Sequence, residues 1–230
     1  MVTAAVVAAA VAPGVALLAY VYWKDRFATE PVRLVFRLFA AGMFVVFPTM
    51  VVQRMFVVAL EPGMWTYAFG ISALAEEFVK WFVFVFTIYR HREFDEPYDG
   101  IVYAAAVSLG FATLENVLYA LSYRTSFADL FFRALLPVSG HALFGIAMGY
   151  SFGQAKFAGS RRAERLRLLF ALAVPWLWHG AFDAVLLADR DPWELAVFMA
   201  ICWGYAGWKL HRANARSPYH PTFADDEVRM

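Results

Sequence analysis

Seven stretches of about 20 mainly apolar residues follow one another along this chain of 230 residues. A helix of that length crosses the hydrocarbon core of a bilayer, at about 1.5 Å per residue. The hydrophobic share of 62% is more than a soluble fold of this size can bury. We therefore predict an all-α polytopic membrane helix bundle with membrane lipid as its solvent. The predicted transmembrane segments are residues 2–22, 34–52, 65–89, 101–123, 132–152, 168–187 and 193–210.

The basic residues orient this bundle. Of the 20 lysines and arginines, fifteen fall in alternate loops and the C-terminal tail, four in the opposite loops, and Lys80 within a segment. Because basic residues concentrate on the cytoplasmic side, we predict an outside N-terminus and a cytoplasmic C-terminus. We expect residues 1–212 to form one transmembrane domain and 213–230 a mobile cytoplasmic tail. The four residues expected outside are Arg54, Arg124, Arg133 and Arg190.

Two further compositional features limit the function. The net charge of +1 gives no indication of a nucleic-acid partner, so none is expected. The chain has one cysteine, Cys202, so an internal disulfide cannot form.

Ionisable residues at membrane depth are the strongest functional signal, because they are costly to bury in lipid. They occur in four consecutive segments, the third to the sixth, and counting along each helix brings them together in the outer half of the membrane. We expect one shared polar interior formed by Glu76, Glu77, Lys80, Glu115, Asn116, His141, His179 and Asp183.

The spacing within the third segment predicts ion pairs. Glu76 and Lys80 are i,i+4, and Glu77 and Lys80 are i,i+3, so both carboxylates can reach the ammonium group. Two adjacent buried carboxylates titrate as a coupled set, which suits a general base or acid. The alternative is an ion pair with only a structural role.

The fifth and sixth segments supply the imidazoles. His179 and Asp183 are i,i+4, so the carboxylate can orient the imidazole or both can face one metal ion. His141 is followed on the same helix face by Gly145 and Gly149, which would let a neighbouring helix come close. The alternative for each histidine is a hydrogen-bonded side chain with no chemical role.

Five sequence motifs together resemble the PrsW family of bacterial intramembrane proteases. The similarity covers about residues 13–210, and the combination and order of the motifs carry it. More distantly, the chain is similar to the CAAX prenyl endopeptidases. Their motif is EExxxR, and Lys80 takes the place of its arginine, one residue closer to the paired glutamates. The motifs are EExxK at 76–80, FDEPYDGIVY at 94–103, SLGFATLENVLY at 108–119, RALLPVSGHAL at 133–143 and WHGAFDA at 178–184.

The resemblance implies a multi-pass endopeptidase of the bacterial plasma membrane. Its implied substrate is a single-span anti-sigma factor, cut first on its extracytoplasmic side near the membrane. A second, site-2 intramembrane protease would then act, and a sigma factor would be freed in envelope or antimicrobial-peptide stress. The paired glutamates of the family match Glu76 and Glu77, and its later motifs match His141, His179 and Asp183.

Two hydrolytic schemes fit these residues equally well. In a metal-free scheme, Glu76 or Glu77 is the general base, and His141 or His179 supports the oxyanion. In a zinc scheme, both histidines and a carboxylate bind Zn²⁺ while Glu76 activates its water. The carboxylate ligand in that scheme is Glu115 or Asp183.

A proton-coupled transporter or channel is the alternative class, because a chain of carboxylates and imidazoles also describes a proton relay. Seven segments do not divide into the paired halves typical of repeat transporters. The sequence therefore favours the protease.

Overall fold

The computed structural model describes residues 4–123, 126–188 and 191–220, which fold into helices joined by short connections. No β-strand occurs within these ranges, so the predicted all-α class is confirmed. Two π-helical segments, Thr66–Ala73 and Ala134–Val138, lead directly into α4 and α7. The α-helices are α1 (Ala4–Trp23), α2 (Val32–Phe44), α3 (Val46–Leu60), α4 (Leu74–Thr87), α5 (Asp99–Ser122), α6 (Phe127–Arg133), α7 (Ser139–Lys156), α8 (Arg161–Leu187) and α9 (Pro192–Asn214).

Five helical stretches among the described residues are long and apolar enough to cross a membrane, so the chain is a multi-pass membrane protein. They lie at the first, second, fourth, fifth and sixth predicted segments. Helices also occupy the third and seventh places but are not among these five, so the count of seven stays a prediction, as does the orientation. The five stretches are Ala4–Trp23, Val32–Leu60, Asp99–Ser122, Phe127–Lys156 and Arg161–Leu187.

The second stretch differs from its predicted extent of 34–52. Helix α2 ends at Phe44, and α3 begins at Val46 and continues to Leu60. Gln53 therefore lies within α3, where its side chain bonds to α4 rather than to water at the membrane surface. An inward hydrogen bond satisfies a polar side chain inside an apolar helix, which is why the helix runs past it.

Helices α5 and α7 form the centre of the bundle and are buried along most of their length. Small residues let them approach closely, as predicted for Gly145 and Gly149. A β-carbon at Gly145 would lie 2.8 Å from Cβ of Ser108, and one at Gly149 would collide with the carbonyl of Gly100. This contact fixes the rotation of α7, and with it the direction in which His141 points.

The outer faces of the bundle are apolar. Large side chains such as Phe36, Met55 and Phe86 are more than 60% exposed. A contiguous apolar exterior around a polar interior is the arrangement expected when lipid is the solvent.

The segment predicted to be a mobile tail begins with ordered contacts. Asn214 donates a hydrogen bond to the carbonyl of Lys24, and the buried Ser217 donates one to Glu96. These contacts argue that the folded body extends to about residue 220. The rest of the predicted tail, 221–230, lies outside the described residues, as do Val2, Arg124 and Arg190.

Candidate active site

Four helices bring the predicted polar residues into one place. The paired glutamates lie in the first turn of α4, Glu115 on α5, His141 at the start of α7 and His179 on α8. Most of them line a cavity of about 180 Å³, together with Ser72, Arg133, Asp183, Pro137, Phe144, Phe182 and Leu186. The structure therefore brings most of these residues together; their roles and their depth in the membrane stay predictions.

Lys80 lies at the centre of this cluster and is fully buried. Its Nζ lies 2.7 Å from Oε1 of Glu77 and 3.6 Å from Oε2 of Glu76, so both predicted ion pairs form. The same ammonium group lies 2.9 Å from Nδ1 of His141 and 4.4 Å from the ring centre of Phe111. One ammonium group thus contacts two carboxylates and one imidazole and offsets one of the two negative charges.

His179 is held by the second glutamate of the pair. Its Nδ1 lies 2.9 Å from Oε1 of Glu77, so the ring donates its Nδ1 proton to that carboxylate. The other ring nitrogen, Nε2, lies 3.6 Å from Oδ1 of Asp183 and 3.9 Å from Oε2 of Glu76. In the neutral ring this Nε2 carries a lone pair, as a metal ligand or a base requires.

His141 has the opposite arrangement. The ammonium group of Lys80 donates to its Nδ1, which leaves the proton of the neutral ring on Nε2. That Nε2 lies 3.0 Å from Oε2 of Glu115, to which it donates. The two histidines therefore present different chemistry to the cavity, one a donor and the other a lone pair.

Glu76 lies between the two imidazoles. Its Oε1 accepts a hydrogen bond of 3.1 Å from Gln53, while Oε2 lies 3.9 Å from Nε2 of both His141 and His179. This Oε2 is buried and has no hydrogen-bond partner. A buried carboxylate oxygen without a partner is costly, so the position suits a proton, a water molecule or a metal ion.

Ligand atoms of Glu76, His141 and His179 lie within 4.8 Å of one another. The carboxylate that accompanies both imidazoles is thus Glu76, not Glu115 or Asp183 as the zinc scheme had it. Two imidazoles and one carboxylate are a suitable set for catalytic zinc. Metal binding through Nε2 of His141 would require its proton to move to Nδ1 and the ammonium group of Lys80 to turn away or lose a proton.

The remaining predicted residues lie at the margin of the cavity. Asp183 and Glu115 line it, and their side chains are 16% and 32% exposed. Asn116 does not line it; its amide donates to the carbonyl of Ala10 and accepts from Nε of Arg133. Asn116 therefore links α5 to α1 through one hydrogen bond and holds Arg133 at the cavity wall through another.

Sequence reasoning missed two residues of this site. Gln53 is not among the predicted site residues, although an amide inside an apolar run is itself a signal of an inward partner. Arg133 was counted only as a loop charge, whereas it lines the cavity and stacks over the ring of Tyr119.

A helical membrane bundle that encloses paired glutamates, a lysine and two histidines has the features of an intramembrane hydrolase. The model of the PrsW family of intramembrane metalloproteases matches residues 30–206. The chain therefore belongs to the PrsW family and is an intramembrane protease.

Relatives from several bacteria bear the name Protease PrsW. The one from Geobacillus kaustophilus (strain HTA426) is 50% identical over 211 residues, which cover 90% of this chain and 91% of the relative. Those from Oceanobacillus iheyensis and Bacillus subtilis (strain 168) are 44% and 42% identical, and each match covers 96% of the relative. No solved structure matches the chain.

Proposed function

We propose that this protein makes the first, site-1 cut in a single-span anti-sigma factor of the bacterial plasma membrane, near its extracytoplasmic face. The observation that carries the hydrolytic role is the unpartnered Oε2 of Glu76, buried between two imidazoles. A downstream site-2 protease would act on the product and free a sigma factor during envelope stress. The identity of the substrate rests on the resemblance to the PrsW family.

The family description implies a metal, and the donor set fits one. Glu76, His141 and His179 would hold it, and when bound it would polarise the scissile carbonyl and acidify a water molecule. Glu77 fixes the tautomer of His179 by accepting its Nδ1 proton. Glu115 then becomes the carboxylate best placed to accept a proton from water, because it faces the cavity beside His141.

A metal-free mechanism uses the same residues in other roles. Glu76 accepts the proton of the attacking water at its free Oε2, and Gln53 holds the other oxygen in place. The Nε2 proton of His141, which bonds to Glu115 at the edge of the cavity, would leave that carboxylate to donate to the oxyanion. Metal dependence separates the two mechanisms.

The transporter alternative is not favoured. Relatives that share 37–50% of their residues with this chain over most of its length are named as proteases. The cavity also holds its charges in a compact, mutually paired cluster, whereas a relay needs a chain that continues across the membrane.

The test is cleavage of a single-span anti-sigma reporter by purified protein in proteoliposomes. Wild type, Glu76→Gln and the control Glu93→Gln would each be assayed with and without a zinc chelator. We expect wild type and the control to cut and Glu76→Gln to be inactive. Loss with the chelator and recovery with Zn²⁺ would establish the metal mechanism, whereas chelator-resistant cleavage would establish the metal-free one. An active Glu76→Gln variant would contradict both.

A further inference from the structure

A second group of carboxylates lies at the opposite end of α5 from Glu115. Asp25 follows α1, Glu96 lies in the connection between α4 and α5, and Asp99 is the first residue of α5. Asp25 is 5% exposed, and Glu96 and Asp99 are fully buried. Oxygens of all three lie within 4.8 Å of one another. We call Asp25, Glu96 and Asp99 the loop carboxylate cluster.

Two of the six carboxylate oxygens in this cluster accept hydrogen bonds from the protein. Oδ2 of Asp99 accepts backbone N–H bonds of 2.7 Å from Asp95 and Glu96, and Glu96 Oε2 accepts from the hydroxyl of Ser217. The other oxygens are buried and accept no regular hydrogen bond: both of Asp25, Oε1 of Glu96 and Oδ1 of Asp99. Asp25 lies near Glu96 and the backbone of Phe27, and Asp99 lies near Glu30, so carboxyl groups face one another here. Buried acceptors are normally satisfied, so these four point to a ligand.

No basic side chain of the described residues completes the cluster. The salt bridges among residues 4–123, 126–188 and 191–220 lie elsewhere. Lys156 donates instead to two backbone carbonyls, and Arg26 is exposed. A nearby fourth carboxylate, Glu30, accepts from the hydroxyl of Tyr103. Three buried carboxylates without a positive partner would be strongly unfavourable.

We propose that the loop carboxylate cluster binds one hard divalent cation, Ca²⁺ or Mg²⁺. Oxygen-only ligands favour these ions over zinc, which distinguishes this cluster from the centre at Glu76. The ligand oxygens all lie within 4.8 Å of one another, so one ion with bonds of about 2.4 Å could reach all three residues. Water molecules would complete the coordination shell, because Mg²⁺ in particular retains several of them.

The ion would join three parts of the chain. It would link the end of α1 to the start of α5, while Ser217 connects the residues after α9 to the same cluster. The binding free energy of such an ion is added to the stability of the folded state. The role we assign to it is therefore structural, and cleavage chemistry remains at the Glu76 centre.

Shared protons are the competing explanation for the unpartnered oxygens. Burial, together with the neighbouring charge of Glu96, raises the pKa of Asp25 to about 8. Around neutral pH the carboxyl group would then be neutral without any ion. A cation that binds must displace these protons, so a titration above the raised pKa of Asp25 gives the clearest measurement.

The experiment uses the purified full-length protein in detergent, stripped with EDTA. Calorimetric titrations with Ca²⁺ and with Mg²⁺ give stoichiometry and affinity, and thermal unfolding gives the Tm with and without ion. The test variant is Asp25→Asn, and Glu96→Gln is a second variant that keeps the contact with Ser217. The matched control is Glu93→Gln, which removes a carboxylate of the same connection that pairs with Arg92 outside the cluster.

We expect one ion per chain and a Tm rise of roughly 5 °C at a hundredfold excess over Kd. Asp25→Asn and Glu96→Gln should each weaken binding roughly a hundredfold, because affinity follows the ligand charge. Glu93→Gln and Glu76→Gln should bind as wild type does, which separates this site from the proposed active site. The absence of saturable binding in wild type, or equal binding by Asp25→Asn, would overturn the proposal.

Discussion

The Glu76 centre and the loop carboxylate cluster are both buried groups of acidic residues, but only the first has its own positive charge. Lys80 lies 2.7 Å from Glu77 and 3.6 Å from Glu76, and two imidazoles complete the group. Among the described residues, Asp25 and its two partners have backbone and hydroxyl donors but no basic side chain. The lysine of the first group offsets part of its negative charge, whereas the second group needs an ion or protons from outside.

The difference shows how burial can serve two purposes. In the Glu76 centre two buried oxygens lack a hydrogen-bond partner, Oε2 of Glu76 and Oε2 of Glu77, and Glu76 lines the cavity where a substrate would react. In the loop carboxylate cluster four oxygens are unsatisfied and none faces that cavity. We therefore expect substitutions in the first group to affect cleavage and those in the second to affect stability.

The largest effect is expected for Glu76→Gln. The amide keeps the shape of the side chain but cannot accept a water proton or bind a metal as a carboxylate does. We expect cleavage in proteoliposomes to fall about 10³-fold, with an unchanged or higher Tm. Asp25→Asn is the matched change in the other cluster and should leave cleavage within about twofold of wild type. Equal losses in the two variants would break the distinction between the clusters.

Lys80→Met tests the internal charge. It leaves Glu77 buried without its ammonium partner, and removal of one member of a buried ion pair costs about 3–5 kcal/mol. The double variant Lys80→Met/Glu77→Gln removes both charges and should recover much of that stability but not the cleavage. Denaturant or thermal unfolding of the four proteins gives the coupling free energy. Additive losses would mean that the pair has no stabilising role.

Gln53→Leu tests the hydrogen bond that fixes Glu76. Loss of the 3.1 Å bond from Gln53 leaves the carboxylate free to rotate, so we expect cleavage to fall about tenfold. The change should alter Tm little, because an apolar side chain suits an apolar helix. Met55→Leu on the exposed face of α3 is the control and should behave as wild type. A fully active Gln53→Leu protein would remove Gln53 from the site.

Helical periodicity explains how much of the site the sequence could predict. The pairs Glu76–Lys80, Glu77–Lys80 and His179–Asp183 depend only on three- and four-residue spacing within one helix, and all three form. The cost of charge in lipid likewise predicted that the four segments share one interior. Local spacing and burial cost are properties that a sequence shows directly.

The relative positions of the helices could not be predicted from the sequence in the same way. Glu76, rather than Glu115 or Asp183, lies beside both imidazoles. This position depends on how far α4, α7 and α8 are rotated and shifted relative to one another. Close contacts such as Gly145 against Ser108 set those rotations. The partner of Gln53 depends on the same packing, since an amide inside an apolar helix indicates an inward hydrogen bond but not that Glu76 accepts it.

The smallest expected effect is that of Ser217→Ala, which tests how the C-terminal segment joins the loop carboxylate cluster. Ser217 is buried and donates to Glu96, so its loss leaves another carboxylate oxygen without a partner. We expect a loss of about 1 kcal/mol, or roughly 3 °C in Tm, with cleavage unchanged. Ser151→Ala, whose hydroxyl bonds only within its own helix, should cost less. If the chain after Ala213 were a mobile tail, Ser217→Ala would not change Tm at all.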